Sequence, residues 1–598
     1  MRIAVVADQE GGGLLQAVAD DGTPAGPVER VADLSAAVGE RERLPAQPRW
    51  LWAATDELYP ALLRAGMRVA RCHDLALTEA ILLAIEGRYG EPRSLRAGWA
   101  RLRGLPVPDD PPPSTGIGPG GARGGGAGQA ALFEPDRPGL APAATAELLE
   151  AVVAVHAGQQ RRLAAIEHGD PELEGLLGLL IAAESAGALA AAEMGHTGLP
   201  WRPDVHDALL TELLGPRPPR GALPRRLCEL ADKISAAFGG RRVNPDSPAQ
   251  VLRAFSAAGL PVSSTRSFVL RGLDHPAVPL LLAYKELSRL HAAHGWSWLD
   301  TWVRAGRFHP EYVPGGVVSG RWATRGGGAL QIPKAVRRAV VADPGWTFVV
   351  ADAAQLEPRV LAALSGDLGL ARAAGTGDLY AALAAEAFGG QRSRAKLALL
   401  GAIYGQTTGE GGQFLGVLRR RFPAAVDLVE SAARAGEAGR VVRSRLGRTC
   451  PPPSARWRAL TAGSSLDPDA GAGPAFGTDT FPGHDPDQDQ DEDRPGPAAA
   501  RRTARNRGRF TRNFVVQASA ADWALVLLAA LRRRLATPAE LVFFQHDEVV
   551  VHCPQQTAEA VAETVTAVAE EARQLVFGAT PVRFPLEIAT VTCYADAK

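Results

Sequence analysis

Asp352 ends an apolar run, Phe348-Val-Val-Ala-Asp, and Ala-Ala-Gln-Leu-Glu-Pro-Arg follows it. A carboxylate at the end of a buried strand, just ahead of a helix with Pro358 in its first turn, is positioned rather than merely solvated. An N-cap is the plainer alternative, since Asp often fills that role. A second acidic group, His546-Asp547-Glu548, interrupts an apolar stretch and reads as strand, turn, strand with acids at the tip. A tight hairpin favours Gly or Asn, and this tip has neither. Two aspartates at separate strand ends suit two Mg2+ ions, which take few protein carboxylates and leave positions for phosphate and water. Such a pair can activate an attacking hydroxyl and stabilise a leaving oxygen in phosphoryl transfer. Spacing along the chain does not by itself bring Asp352 and Asp547 together.

Cations stand on predicted helices nearby. In Arg392-Ser-Arg-Ala-Lys396-Leu-Ala-Leu-Leu400-Gly-Ala-Ile-Tyr404-Gly405, the residues Arg392, Lys396, Leu400 and Tyr404 share one slowly drifting face. Two cations one turn apart repel unless an anion lies across them, and a triphosphate is the natural partner. A solvated basic turn is the alternative. Arg509, Asn513 and Gln517 recur at i, i+4 and i+8 on an otherwise apolar helix. Such side chains can hydrogen-bond base edges in a minor groove, where every pair offers acceptors. An ordinary polar face is the alternative here.

The elements that must hold these groups fall into distinct regions. The start of the chain is α/β, with strands at Ile3–Ala7 and near Trp50–Ala54 and a helix at Leu75–Ile85. Residues 145–300 are mostly helical by apolar spacing. From Gly345 onward come a buried strand, a long helical region, a helix at Gln517–Leu535, a strand pair around Val542–His552, a further helix and a terminal strand. Two stretches break the pattern. Pro106–Pro142 is too rich in Pro and Gly to bury apolar surface, and Pro451–Arg507 contains the acidic run Asp485–Asp493.

Composition limits the rest. The 598 residues carry 65 basic and 65 acidic side chains, so the chain is no uniformly basic nucleic-acid binder. The charge is local: seven Arg or Lys face one acid between Arg304 and Arg338, and six Arg face none between Arg501 and Asn513. Five scattered cysteines without a CxxC pair suggest neither a disulfide framework nor a zinc site. The start lacks a signal-type apolar run, and the apolar stretch Leu176–Ala192 is interrupted by Glu184, so it reads as a core helix. A cytoplasmic, non-membrane protein is the expectation.

Together these segments resemble the bacterial DNA polymerase I family, the family A DNA polymerases. Asp352-Ala-Ala-Gln355-Leu-Glu357-Pro-Arg359 is similar to D-x-S-Q-I-E-L-R. Arg392, Lys396, Gly401, Tyr404 and Gly405 match R-x-x-x-K-x-x-x-F-G-x-x-Y-G, and His546-Asp547-Glu548 is the third motif. Arg509, Asn513 and Gln517 match R-x-x-x-N-x-x-x-Q, and Ser319-Gly320-Arg321 with Leu330-Gln-Ile-Pro333 resembles T-G-R-L-S-S…N-L-Q-N-I-P. The resemblance runs from about residue 200 to the end, with the motifs in order. It implies an α/β and α+β multidomain chain: an RNase H-like, exonuclease-type domain at 1–199, then a right-hand polymerase domain at 200–598. The thumb would span about 200–305, the palm about 306–370 and 509–598, the fingers about 371–450, and a disordered insertion about 451–507.

The resemblance also implies roles. Asp352 and Asp547 would hold two Mg2+ ions, supported by Glu548. Arg392 and Lys396 would grip a dNTP, with Lys396 able to protonate pyrophosphate. Tyr404 would stack near the nascent pair, Gln355 would lie at the nucleotide, and Glu357 would exclude a ribose 2′-OH. Arg321, Arg509, Asn513, Gln517 and His546 would contact primer–template DNA. A monomer working on nucleoid DNA is implied. Leu400 replaces the motif's aromatic residue, which implies altered discrimination at the sugar 3′ position. The N-terminal part matches the family's exonuclease only faintly: Asp8-Gln-Glu10 is a D-x-E, Arg71-Cys-His-Asp-Leu-Ala-Leu-Thr is a blurred second motif, and Ala141–Thr145 lacks Tyr and Asp. With at most one of three carboxylate sets, two-metal hydrolysis should fail.

Overall fold

Residues 1–112, 142–375, 377–405, 410–461 and 497–597 are described in the computed structural model. Most of the Pro/Gly-rich stretch, residues 113–141, and all of the acidic run Asp485–Asp493 lie outside them.

A hairpin opens the chain. Arg2–Ala7 (β1) pairs antiparallel with Gly13–Val18 (β2). Glu29–Val31 (β3), Leu34–Glu42 (α1), Arg49–Trp52 (β4), Thr55–Arg64 (α2), Arg71–Asp74 (β5) and Leu75–Ile85 (α3) follow. The sheet order is β3-β2-β1-β4-β5, with β4 parallel to β1 and β5 parallel to β4. This is the RNase H-like layer that the resemblance implied. Trp50, Trp52 and Tyr59 are fully buried in its core.

Two long helices leave this layer, Pro142–Gly169 (α4) and Leu176–Thr197 (α5). The residue-199 boundary is not a gap in packing. Leu189 of α5 joins the N-terminal core, whereas Leu177, Leu180 and Met194 join the core beneath the second sheet. On the same helix Glu193 is buried and accepts hydrogen bonds from Arg532, Arg68 and the Tyr59 hydroxyl. Burial opposes its charge, but Arg532 and Arg68 hold its pKa below the ordinary carboxylate value.

Helices dominate the next hundred residues, among them Arg225–Ala237 (α6) and Ala277–His294 (α7). Trp346–Ala353 (β6), Glu540–Gln545 (β7), Glu548–Pro554 (β8) and Leu586–Val591 (β9) then form a second sheet in the order β7-β8-β6-β9, antiparallel throughout. Period-two alternation sends Val349 and Ala351 into one core and Phe348 and Val350 into the other, so helices cover both faces. Between its strands run Leu356–Ser365 (α8), Leu379–Ala387 (α9), Arg392–Tyr404 (α10), Pro423–Glu437 (α11), Pro497–Arg534 (α12) and, after β8, Ala558–Phe577 (α13).

The expected disordered insertion is too long at both ends. Ala455–Thr461 is helical, and residues 497–507 are the first turns of α12. Ala500, Ala504 and Arg507 are buried on one side of that helix, and Arg507 donates to the Pro451 carbonyl at 2.8 Å. Six arginines in the sequence hid that buried side. Two helices, Pro171–Thr197 and Ala498–Arg534, are long and apolar enough to cross a membrane, but their apolar windows are 61% and 89% buried within the fold, as in core helices.

Two stability predictions follow from these buried groups. Glu193→Gln leaves Arg532 buried without its counter-charge, so chemical denaturation should show a loss of about 3–5 kcal/mol. Burial also lowers the pKa of His156, His206, His294 and His552 to about 4 and that of His73 to about 3. Each takes up its proton more readily when unfolded, so the stability it contributes is full above about pH 6.5 and is lost as pH falls toward 4. The melting temperature should therefore fall steeply between pH 6.5 and 4.

Candidate active site

Strand register brings the acids together. Asp352 on β6 lies directly opposite Glu548 on β8 and, on its other side, opposite Glu587 on β9. The Ala353 N–H donates to the Asp547 carbonyl at 3.0 Å, which sets Asp547 beside the end of β6. Asp352 does not cap α8, whose N-cap is Gln355. Asp352 and Glu548 fall on the same sheet face as Val350 and Val550, at its open end. Carboxylates directly opposite one another repel, so this register favours a cation across them. All the donors are oxygens, which suits a hard divalent ion. Among the described residues no cluster of three or more His, Cys, Asp or Glu surrounds a common point.

The backbone is strained beside both aspartates. Three non-glycine residues among those described have a left-handed φ, and two of them are Gln355 at 58° and His546 at 59°. Each such residue costs about 1–3 kcal/mol, a strain that concentrates at functional sites. His546 and Asp547 make a two-residue turn, in which the Asp547 N–H donates to the Gln545 carbonyl at 2.8 Å. The surrounding protein and Arg321 both hold the His546 pKa below its ordinary value, against the pull of Glu357. Glu548 is buried and accepts from the hydroxyl of Tyr594, near the C-terminus.

Glu357 is the centre of a second group. It accepts hydrogen bonds from Arg321 and from the Tyr404 hydroxyl. Gln517 also hydrogen-bonds Tyr404, which joins α8, α10 and α12 around one point. Burial first, then Glu357, raises the Tyr404 pKa above the ordinary phenol value. Gly320 has φ 83°, and a Cβ there would lie 2.3 Å from Arg448 Nε. Only glycine admits both that backbone and that neighbour. Arg448 is buried between Glu184 and Asp522. Gly405 ends α10 with φ 74°, and a Cβ there would meet Arg509 Cγ at 3.3 Å.

The remaining expected residues divide. Arg392 and Lys396 are exposed at the start of α10, and Arg509 is exposed on α12. Asn513 is half-buried, and its Oδ1 has no protein partner. The Gln355 amide nitrogen donates to Asp378 Oδ1 at 2.9 Å, and its oxygen accepts from the Leu379 N–H at 2.9 Å. Glu587, Tyr594 and Asp378 were not legible as site residues in the sequence. A lone acid in the apolar strand Leu586–Val591 was the one available signal.

Residues 220–424 match the model of DNA polymerase family A. DNA polymerase I of Chloroflexus aurantiacus is 31% identical over 228 residues, which cover 33% of this chain and 24% of that protein. The thermostable DNA polymerase I of Thermus aquaticus is 27% identical over 391 residues, or 59% of this chain and 41% of that protein. The matched part of the chain is thus similar to the family A DNA polymerases.

The chain spans about a quarter to two fifths of the length of these family A relatives. The solved POL domain of Pol1 from M. smegmatis, in complex with DNA primer-template and dNTP, shares the fold. Its TM-score is 0.66 at 18% identity, over 100% of this chain and 96% of that one. Gly320 is a sharp test of the site. Gly320→Ala should cost several kcal/mol through strain and collision with Arg448, read as a drop in the denaturation midpoint.

Proposed function

We propose that this chain carries out template-directed DNA synthesis, joining a dNTP to a primer 3′-OH and releasing pyrophosphate. The observation that carries the reading is the register that sets Asp352 opposite Glu548 and beside Asp547. Asp352 and Asp547 would hold two Mg2+, supported by Glu548. When bound, these ions supply an activated attacking oxygen and neutralise charge at the leaving one. Arg392 and Lys396, exposed one turn apart, bind the triphosphate, and Lys396 donates a proton to the departing pyrophosphate.

Glu357, held by Arg321 and Tyr404, stands as a rigid carboxylate against a ribose 2′-OH. Asn513, with its unpartnered Oδ1, and Gln517 face the minor groove of the primer–template, with Arg509, Arg321 and His546 alongside. Preorganised charge of this kind supplies much of the rate in phosphoryl transfer. The enzyme acts as a cytoplasmic monomer on nucleoid DNA.

We read the N-terminal domain as a nuclease-like layer without proofreading activity. Asp8 Oδ1 accepts from the backbone of Glu10 at 3.0 Å and of Gly12 at 2.8 Å, which closes the β1–β2 turn. Asp74 is buried, caps α3 through Leu77 N–H at 2.9 Å, and accepts from Thr55 N–H at 2.7 Å. Both acids therefore serve the backbone.

Primer extension with Mg2+ and dNTPs tests this reading. Wild type should extend the primer, Asp547→Ala should lose at least a hundredfold in rate, and no mismatched primer should shorten without dNTPs. Failure of wild type to extend would refute the polymerase reading. Shortening that Asp8→Ala abolishes would refute the reading of the N-terminal domain.

A further inference from the structure

Arg392, proposed above as a triphosphate ligand, already has an anion. Its Nε donates to Asp378 Oδ2 at 2.7 Å, and its guanidinium lies 5.5 Å from the centre of the Tyr380 ring. The bond to Asp378, more than any other contact, raises the Arg392 pKa, with a smaller contribution from Glu587. Burial and then Glu357 push the Tyr380 hydroxyl up to about 12, so it stays neutral beneath the arginine.

Asp378 itself cannot follow Arg392. Its other oxygen accepts from Gln355 Nε2 at 2.9 Å and from the backbone N–H groups of Tyr380 at 3.0 Å and Ala381 at 3.1 Å, which caps α9. Behind it, Arg359 is fully buried and donates to the Ala374 and Gly377 carbonyls, both at 2.6 Å. The loop that carries Asp378 is thereby tied to the segment that carries Asp352. The Arg392 and Asp378 side chains are nonetheless 53% and 39% exposed, so their ion pair is weak and exchangeable.

We propose that Asp378 is a specificity-determining residue, an internal counter-anion that a ligand must displace to reach Arg392. The inference rests on the polymerase reading for its ligand, the dNTP triphosphate. A polyphosphate makes several charge-assisted contacts and outcompetes one carboxylate, whereas a ligand with a single phosphate gains too little to do so. Because Asp378 stays fixed, every ligand that takes Arg392 meets the same competition.

Asp378→Asn tests this cleanly, since Asn keeps the N-cap and the Gln355 contact but loses the charge. The KM for dNTP and the inhibition constant for inorganic tripolyphosphate should both fall about two- to fivefold, with kcat within twofold of wild type and the melting temperature unchanged. Asp378→Ser, another good N-cap without charge, should do the same. A KM that is unchanged or raised in both variants would overturn the proposal while leaving normal extension by wild type intact. Failure of wild type to extend any primer would instead remove the polymerase reading beneath it.

Discussion

The antiparallel register of β6 with β8 and β9 is the constraint on which the rest depends. It lines up Asp352, Glu548 and Glu587 across three strands and sets Asp547 at the adjoining turn. A one-residue slip would turn Asp352 to the opposite face of the sheet. Such a slip is costly because Phe348, Val349, Val350 and Ala351 are buried on alternate sides in two separate cores. Apolar packing thus holds in place a set of like charges that would otherwise push the strand ends apart.

Buried ion pairs extend the same rigidity outward. Arg448 between Glu184 and Asp522 ties α5, α12 and the segment before the insertion together. Arg532 on Glu193, with further bonds to the carbonyls of Val69 and Ala70, does so for the N-terminal layer. The N-terminal domain is therefore a structural partner of α12, the helix that also carries Asn513 and Gln517. Its acids Asp8 and Asp74 accept hydrogen bonds from the backbone, at a turn and at a helix cap.

Much of this was legible in the residues, and the failures have physical causes. The strands at 346–353 and 540–554 and the helices at 75–85 and 392–404 followed from apolar periodicity and polar breaks. Asp352, Arg392 and Asp547 stood out because their types at those spacings suit phosphoryl transfer, whereas Glu357 entered only through the resemblance to the family A motif. Glu587, Tyr594 and Asp378 did not, because their roles come from strand pairing and loop contacts that no local pattern records. Gln355 was visible as a motif residue, and its amide bonds the Asp378 loop. The start of α12 was hidden because arginines outnumber the small buried residues Ala500 and Ala504 on its inner side.

Manganese binding tests the central claim, that Asp352 and Asp547 form one divalent-ion site with the bound nucleotide. Electron paramagnetic resonance can count Mn2+ in a complex of the protein with a dideoxy-terminated primer–template and the next dNTP. Two ions per wild-type protein, and a loss of tight binding in Asp352→Asn and Asp547→Asn alike, is the predicted result. Full Mn2+ occupancy in either variant would contradict it.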